Sequence, residues 1–364
     1  MQRVKRVAYD LHMVTIRHVA ESANVSIGTV SRVLSGDPTV QPENAERVHS
    51  AVQKLKYVRL RRRNGVALEP ATLKGTTVAL LLLGLDRSLA SLPSVAEAIH
   101  GIEAAVSEAG ANLLLADVPL ADRVPAALER QRVDGLILKG ALQGRWIETI
   151  SSDLAARLRI VPSAWFLGRP HGGWGDVVQS NDLRVGQIAA EYLIAQGHRH
   201  LAFLNPKPDQ ITFVQRQAGF VAHAELAGGT VAKFLGEAGK WSLPLRTVKE
   251  VEAVQGLVDD LINATPRPTA VFVPGDSVAA MVYRALYVRG LSVGRDLSVI
   301  SCNNETPLVA GLYPQLTTID IHSSAIGRRT VDQLAWRMSH REQPAMDVSL
   351  EPSIVIGESV NSIR

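Results

Sequence analysis

The chain has 364 residues, 46% apolar and 20% charged, a globular composition long enough for two or three domains and unlike a disordered or collagen-like one. Its net charge of +4 is unevenly placed, with +7 on residues 1–63 and −3 on the rest, the asymmetry of a chain that meets a polyanion at one end. The single cysteine, Cys302, excludes an internal disulfide framework and a multi-cysteine zinc site; no apolar run approaches a membrane span, and the basic start has no apolar stretch behind it. A cytoplasmic protein with no membrane association, metal or cofactor is expected.

The first 63 residues hold no strand pattern. Thr15 begins a helix whose apolar positions Ile16, Val19, Ala20 and Ala23 form one face. Asn24-Val25-Ser26 interrupts it, and Ser26 is a suitable N-cap for a second helix over Ile27–Leu34. Ser35-Gly36-Asp37-Pro38 reads as a turn, after which Pro42 opens a third helix carrying Ala45, Val48, Val52 and Leu55. Three short helices with a three-residue turn between the first two describe a helix-turn-helix unit. Residues 59–76 read as a connector, with a cluster at Arg59, Arg61, Arg62 and Arg63, and with Gly65 and Pro70 interrupting any long helix.

From residue 77 onward strands and helices alternate. Strand-like runs are Val78–Leu83, Asn112–Ala116, Gly135–Lys139, Val161–Leu167, Leu201–Leu204, Ala270–Val273 and Leu297–Ser301. Helical patterns lie between them at 95–109, 124–132, 185–196, 215–227, 251–263 and 277–289, several closed by Gly110, Gly197 or Gly290. This alternation predicts parallel sheets covered on both faces, and so many strands predict two α/β lobes with a ligand cleft between them.

Thr15–Tyr57 closely resembles the DNA-binding head of the LacI/GalR family of bacterial transcriptional regulators. The carriers are Val19-Ala20, Val25-Ser26, Thr29-Val30-Ser31-Arg32-Val33-Leu34, Val40 and Leu55-x-Tyr57. The body resembles the family's periplasmic-binding-protein-like core through Gly101-Ile102, Val133-Asp134-Gly135, Gly197-His198-Arg199, Arg216-x-x-Gly219-Phe220, Leu297–Ile300 and Leu316–Ile319. The implied fold class is an α/β two-lobe core of parallel sheets flanked by helices, preceded by a small all-α helix-turn-helix domain. Implied boundaries are an extension at 1–12, the head at 13–58, a hinge at 59–76 and the core at 77–364. Within the core, lobe 1 is expected at about 77–178 plus 319–341, and lobe 2 at about 179–318 plus 345–364.

The resemblance implies that the second helix lies in the major groove, with Ile27 and Gly28 at base-reading positions and Arg32 one turn later. An arginine bidentate to guanine discriminates by ~1–3 kcal/mol. Thr15, Thr29, Ser31, Arg61, Arg62 and Arg63 are expected at phosphates, and Val66 or Leu68 as a minor-groove wedge. In the cleft, Arg216 is expected to grip hydroxyls or carboxylates, Trp241 to stack on a sugar ring, and Gly275, Asp276 and Asn303 to complete the site. Gly275-Asp276 stands where the family commonly has Asn-Asp. Asn303 stands where it commonly has an acid, which favours a different hydroxyl pattern or an anionic ligand.

The implied function is a homodimeric repressor, with a tetramer left open, that binds a pseudo-palindromic double-stranded operator under control of a small molecule, a sugar or sugar derivative. The rival readings are a solute-binding protein, which would lack the helix-turn-helix, and an α/β enzyme acting on a sugar. Against the enzyme, the chain contains no Gly-x-Gly-x-x-Gly, phosphate-binding Gly-Lys loop, Gly-x-Ser-x-Gly or His-Glu-x-x-His. Asp182, His198 and Asp276 are the groups an acid–base mechanism would use.

Overall fold

Strand β1 (Thr77–Leu83) shows why the body folds as it does. Val78, Leu80 and Leu82 enter one apolar cluster, while Ala79, Leu81 and Leu83 enter another, so the unbroken apolar run covers both faces of a sheet. The computed structural model describes residues 16–34, 37, 40–55, 73–86, 91–130, 133–239, 242–245 and 251–363. The expectations for residues 1–12, Thr15, Arg61, Arg62, Arg63, Val66, Leu68 and Trp241 lie outside these residues. The chain divides into two units, Met1–Leu68 and Glu69–Arg364.

In the first unit, α1 (Ile16–Ala23), α2 (Ile27–Leu34) and α3 (Pro42–Lys54) close on a small core. Val19, Ala20, Ala23, Val30, Val33, Val48 and Ala51 fill it. Ser26 caps α2 as its sequence suggests, its Oγ accepting the Thr29 backbone N–H at 3.1 Å. The Arg47 Nη2 donates to the Asn24 carbonyl at 3.0 Å, tying α3 to the turn between α1 and α2.

The second unit holds two six-stranded sheets. The first has the order β11-β5-β4-β3-β1-β2, all parallel, built from β1 with β2 (Asn112–Val118), β3 (Gly135–Gly140), β4 (Ser163–Phe166), β5 (Asp176–Ser180) and β11 (Asp347–Leu350). The second has the order β12-β10-β9-β8-β6-β7, built from β6 (His200–Asn205), β7 (Thr230–Leu235), β8 (Ala270–Phe272), β9 (Ser298–Cys302), β10 (Thr317–Asp320) and an antiparallel edge, β12 (Ser353–Val355). Helices α4 (Pro93–Glu108), α5 (Ala126–Arg130) and α6 (Ser152–Ile160) belong to the first lobe. Helices α7 (Asp182–Ala195), α8 (Ile211–Leu226), α9 (Val251–Asn263), α10 (Asp276–Val288) and α11 (Thr306–Val309) belong to the second. The long α12 (Ser323–Ser339) returns to the first lobe, where Ile326, Val331 and Leu334 join the core with Val78 and Leu80. No helix among the described residues is long and apolar enough to cross a membrane.

The chain crosses between lobes after β5, after β10 and after β11. The last crossing corrects the expected boundary at residue 345. Asp347–Leu350 pairs in parallel with Val177–Ser180 and belongs to lobe 1, so the return to lobe 2 comes between Leu350 and Ser353. Ahead of this crossing, a buried ion pair within lobe 1 ties α12 to β5. The Arg337 Nη2 and Nε donate to Asp176 Oδ1 and Oδ2 at 2.6 and 3.0 Å, and the Met346 N–H donates to the same carboxylate at 2.9 Å.

Two helix pairs cross at backbone contact, and glycine is what permits it. A Cβ at Gly219 would overlap the Leu183 carbonyl oxygen and one at Gly186 the Arg216 carbonyl, which sets α7 against α8. Gly101 and Gly327 do the same for α4 and α12.

Candidate functional site

In the head, α2 presents an exposed edge. Ile27 is 45% exposed, a large apolar side chain left in solvent, and Gly28 and Arg32 are exposed beside it. A Cβ on Gly28 would meet only the Ser26 Oγ, at 3.7 Å, so nothing in the head's own packing calls for glycine there. Thr29 and Ser31 are half-buried, and the Thr29 hydroxyl lies 2.9 Å from that of Ser26. Ile27, Gly28 and Arg32 therefore share an open surface, and Thr29 helps close the cap of its own helix.

In the body, a cavity of about 1060 Å³, its open mouth included, lies between the lobes at the carboxyl ends of the strands. Lobe 1 contributes Leu92, Val95, Lys139, Leu142, Gln143 and Leu167 among others, and lobe 2 contributes Asp182, Lys207, Phe213, Arg216, Gly275 and Asn303. The lobes touch around it. The Ser94 Oγ at the start of α4 donates to Glu305 Oε1 at 2.7 Å, the Ile211 N–H donates to the Leu142 carbonyl at 3.0 Å, and Leu245 exchanges backbone hydrogen bonds with Gly84 and Asp86 at 2.8 and 2.7 Å.

Arg216 anchors the lobe 2 side at 4% exposure. Its Nε donates to Asp182 Oδ1 at 2.7 Å, and its Nη1 donates to the Pro274 carbonyl, Cys302 Sγ and Asn303 Oδ1 at 2.8, 2.9 and 3.0 Å. The Nη2 has no protein acceptor among the described residues. Burial works against the Arg216 charge, but Asp182 and its neighbours, Asp276 among them, together more than offset it, and the guanidinium is held above its ordinary range. Burial pushes the Asp182 carboxyl upward, with Arg216 and Lys139 opposing. Asn303 has φ 109° and Asn304 φ 52°, backbone that asparagine tolerates better than most residues, so the asparagine pair after β9 also shapes the turn. A Cβ at Gly275 would meet the Asn303 Nδ2 at 3.6 Å and Phe213 at 3.8 Å, ordinary contact, so this glycine leaves room that packing does not demand.

Arg216, Gly275 and Asn303, three of the residues expected in the cleft, thus come together on the cavity lining. Asp276 does not line it. Its carboxylate turns to Ser301, to the Thr318 hydroxyl at 2.7 Å and to the Glu305 N–H at 2.8 Å, and burial raises its pKa to about 6. The reason is its place as the first residue of α10, where it braces the loops that carry Asn303 and Glu305. Most of the lining was not anticipated, and two of these residues bear directly on ligand chemistry. Phe213, the sole aromatic of the lining among the described residues, precedes Arg216 by three positions and so shares its helix face. Lys139, the one charged residue of β3, is buried with its Nζ donating to the Leu167 carbonyl at 2.9 Å, and burial lowers its pKa to about 7. A lone lysine inside a strand buried on both faces was the available signal for it.

Comparison with known proteins agrees with this division of the chain. A family described as "Bacterial regulatory proteins, lacI family" matches residues 15–59, and a "Periplasmic binding protein-like domain" matches residues 190–360. The ribose operon repressor of Escherichia coli strain K12 is 27% identical over 349 residues, 94% of this chain and 98% of that protein. The transcriptional regulator CelR, solved with cellobiose, superposes with a TM-score of 0.62 at 24% identity over 95% of this chain and 99% of its own. The lac repressor dimer, solved with operator and an anti-inducer, gives a TM-score of 0.62 at 22% identity over 96% and 99%.

Proposed function

We propose, from the premise that the chain belongs to the lacI family of bacterial regulatory proteins, how its DNA-binding transcriptional regulation is carried out. Helix α2 enters the major groove of an operator, where Arg32 reads a base edge, Ile27 makes apolar contact and Gly28 lets the helix backbone approach closely. Thr29 and Ser31 are assigned to phosphates, with Thr15 and the cluster at Arg61, Arg62 and Arg63 extending that contact. One head offers few contacts, so a homodimer reading a pseudo-palindrome is the working unit. It acts in the cytoplasm, as a repressor.

The effector is a sugar or sugar derivative, held by Arg216 and Asn303 between the lobes, with Phe213 as an apolar platform for its ring. It acts on DNA affinity through its different affinity for open and closed arrangements of the lobes. The observation that carries this reading is Arg216, fixed on three sides by its own protein with one amino group left for a ligand. A binder fits better than a catalyst. Asp182, the acid of the lining, is committed to Arg216, and His198 is buried between the Thr269 hydroxyl at 2.8 Å and the Asn361 carbonyl at 3.0 Å, off the lining.

The test is binding of the full chain to DNA from upstream of its own gene and to scrambled DNA, followed by fluorescence anisotropy. Arg32→Ala is expected to weaken the cognate site by ~1–3 kcal/mol and the scrambled one far less. Equal losses on both would contradict base reading.

A further inference from the structure

Among the described residues that line the cavity, the buried cations Lys139 and Arg216 face one buried carboxylate, Asp182. Lys139 is 6% exposed and lines the cavity, and beyond the Leu167 carbonyl its ammonium has no acceptor among the described residues. The Arg216 Nη2 is in the same position, and the Ser180 Oγ, also of a lining residue, is buried with no partner among the described residues. Opposite these stands Asp182, the single carboxylate of the lining among the described residues, already bonded to Arg216 at 2.7 Å. Asp276 and Glu305, further buried acids of this region, are off the lining and accept from Ser301, Thr318 and Ser94.

A buried ammonium with open donors is costly unless an acceptor, best a charged one, meets it. The backbone adds to the imbalance. The first turns of α4, α7, α8 and α10 reach the lining through Ser94, Asp182, Thr212 and Ser277, and helix starts favour negative charge. Asn303, whose Oδ1 already accepts from Arg216, supplies no countercharge.

We infer that the effector carries an oxyanion, a carboxylate or phosphate on a polyhydroxylated skeleton, and that Lys139 is the residue that selects it over the neutral sugar. The inference rests on reading this cavity as the effector site. An oxyanion between Lys139 and the Arg216 Nη2 would form charge-assisted hydrogen bonds from both lobes at once, about twice as strong as those to a hydroxyl. It would thereby reward closure of the lobes as well as occupancy of one of them.

The experiment titrates the full chain by calorimetry with glucose, gluconate and glucose 6-phosphate, with ribose and ribose 5-phosphate, and with inorganic phosphate. At least one acid or phosphate is expected to bind about tenfold or more tightly than its neutral parent, and Lys139→Met is expected to erase that margin. Preference for gluconate assigns a carboxylate, and preference for the phosphate esters assigns a phosphoryl group. Neutral sugars binding as well as their anionic partners, a margin that survives Lys139→Met, or no anionic binding below about 1 mM each overturn the inference. The wild-type panel decides even where the variant fails to fold. DNA binding measured on the same samples separates the two readings: neutral sugars that release the operator leave the regulator standing and remove this inference. Loss of any preference for cognate DNA removes the regulator while the anion margin is still scored.

Discussion

The body contains two buried aspartate–arginine pairs, Asp176 with Arg337 in lobe 1 and Asp182 with Arg216 in lobe 2. Arg337 uses all its donors on the protein: Nε and Nη2 on both oxygens of Asp176, Nη1 on the His340 and Gln343 carbonyls, and Nη2 again on that of Pro344. Asp176 is completed by Gln333 at 2.7 Å and by the Met346 N–H. Arg216 touches its aspartate through a single nitrogen and keeps Nη2 unspent beside a cavity. The contrast separates architecture from recognition. A buried charge network that is closed holds elements in place, and one that is left open by a single donor has capacity for a further acceptor, as the proposed effector role of Arg216 requires.

Breaking the closed pair should cost most. Arg337→Leu leaves Asp176 buried and unmatched, and a loss of about 3–5 kcal/mol is expected in urea unfolding. Titration of Lys139, beside the open pair, comes next. Its native pKa of about 7 lies below the ordinary 10.5, so between these values the unfolded chain holds the extra proton. Stability of the ligand-free protein should therefore rise by a few kcal/mol from pH 7 to about 10.5, and Lys139→Met should flatten the rise. Arg216→Leu is expected to cost less, about 1–3 kcal/mol, because Asp182 keeps Lys139 nearby and can take up a proton, while the effector response is lost. Equal losses for Arg337→Leu and Arg216→Leu would dissolve the distinction between the pairs.

The same contrast explains what was legible in the sequence. Strands such as Val78–Leu83 and Leu201–Leu204 announce themselves because both faces are apolar. The edge strands β11 and β12 do not, since Asp-Val-Ser-Leu and Ser-Ile-Val are short and only half-covered, and pairing alone defines them. Helix α12 carries no clear apolar period because its buried face includes Thr330, Gln333 and Arg337, the first satisfied by the Ile326 carbonyl and the other two by Asp176. At the site, Arg216, Gly275 and Asn303 were visible through family resemblance, and Gly219 beside them proves to be a packing glycine. Lys139 was hidden by its surroundings, because a strand of leucine and isoleucine reads as core whatever single charge it carries.

The three crossings between the lobes have a consequence for anyone who would take the body apart. Neither lobe is a continuous stretch of chain: the first needs α12 and β11 from near the carboxyl terminus, and the second needs β12 from beyond them as well as the stretch from α7 to β10. No single cut can release a self-sufficient half, and a fragment ending before residue 323 would expose the bare flank of α4 where Gly327 nests against Ala98. Nicking within the body should therefore leave the pieces clasped together rather than free, and successful dissection will require rewiring the order of the chain.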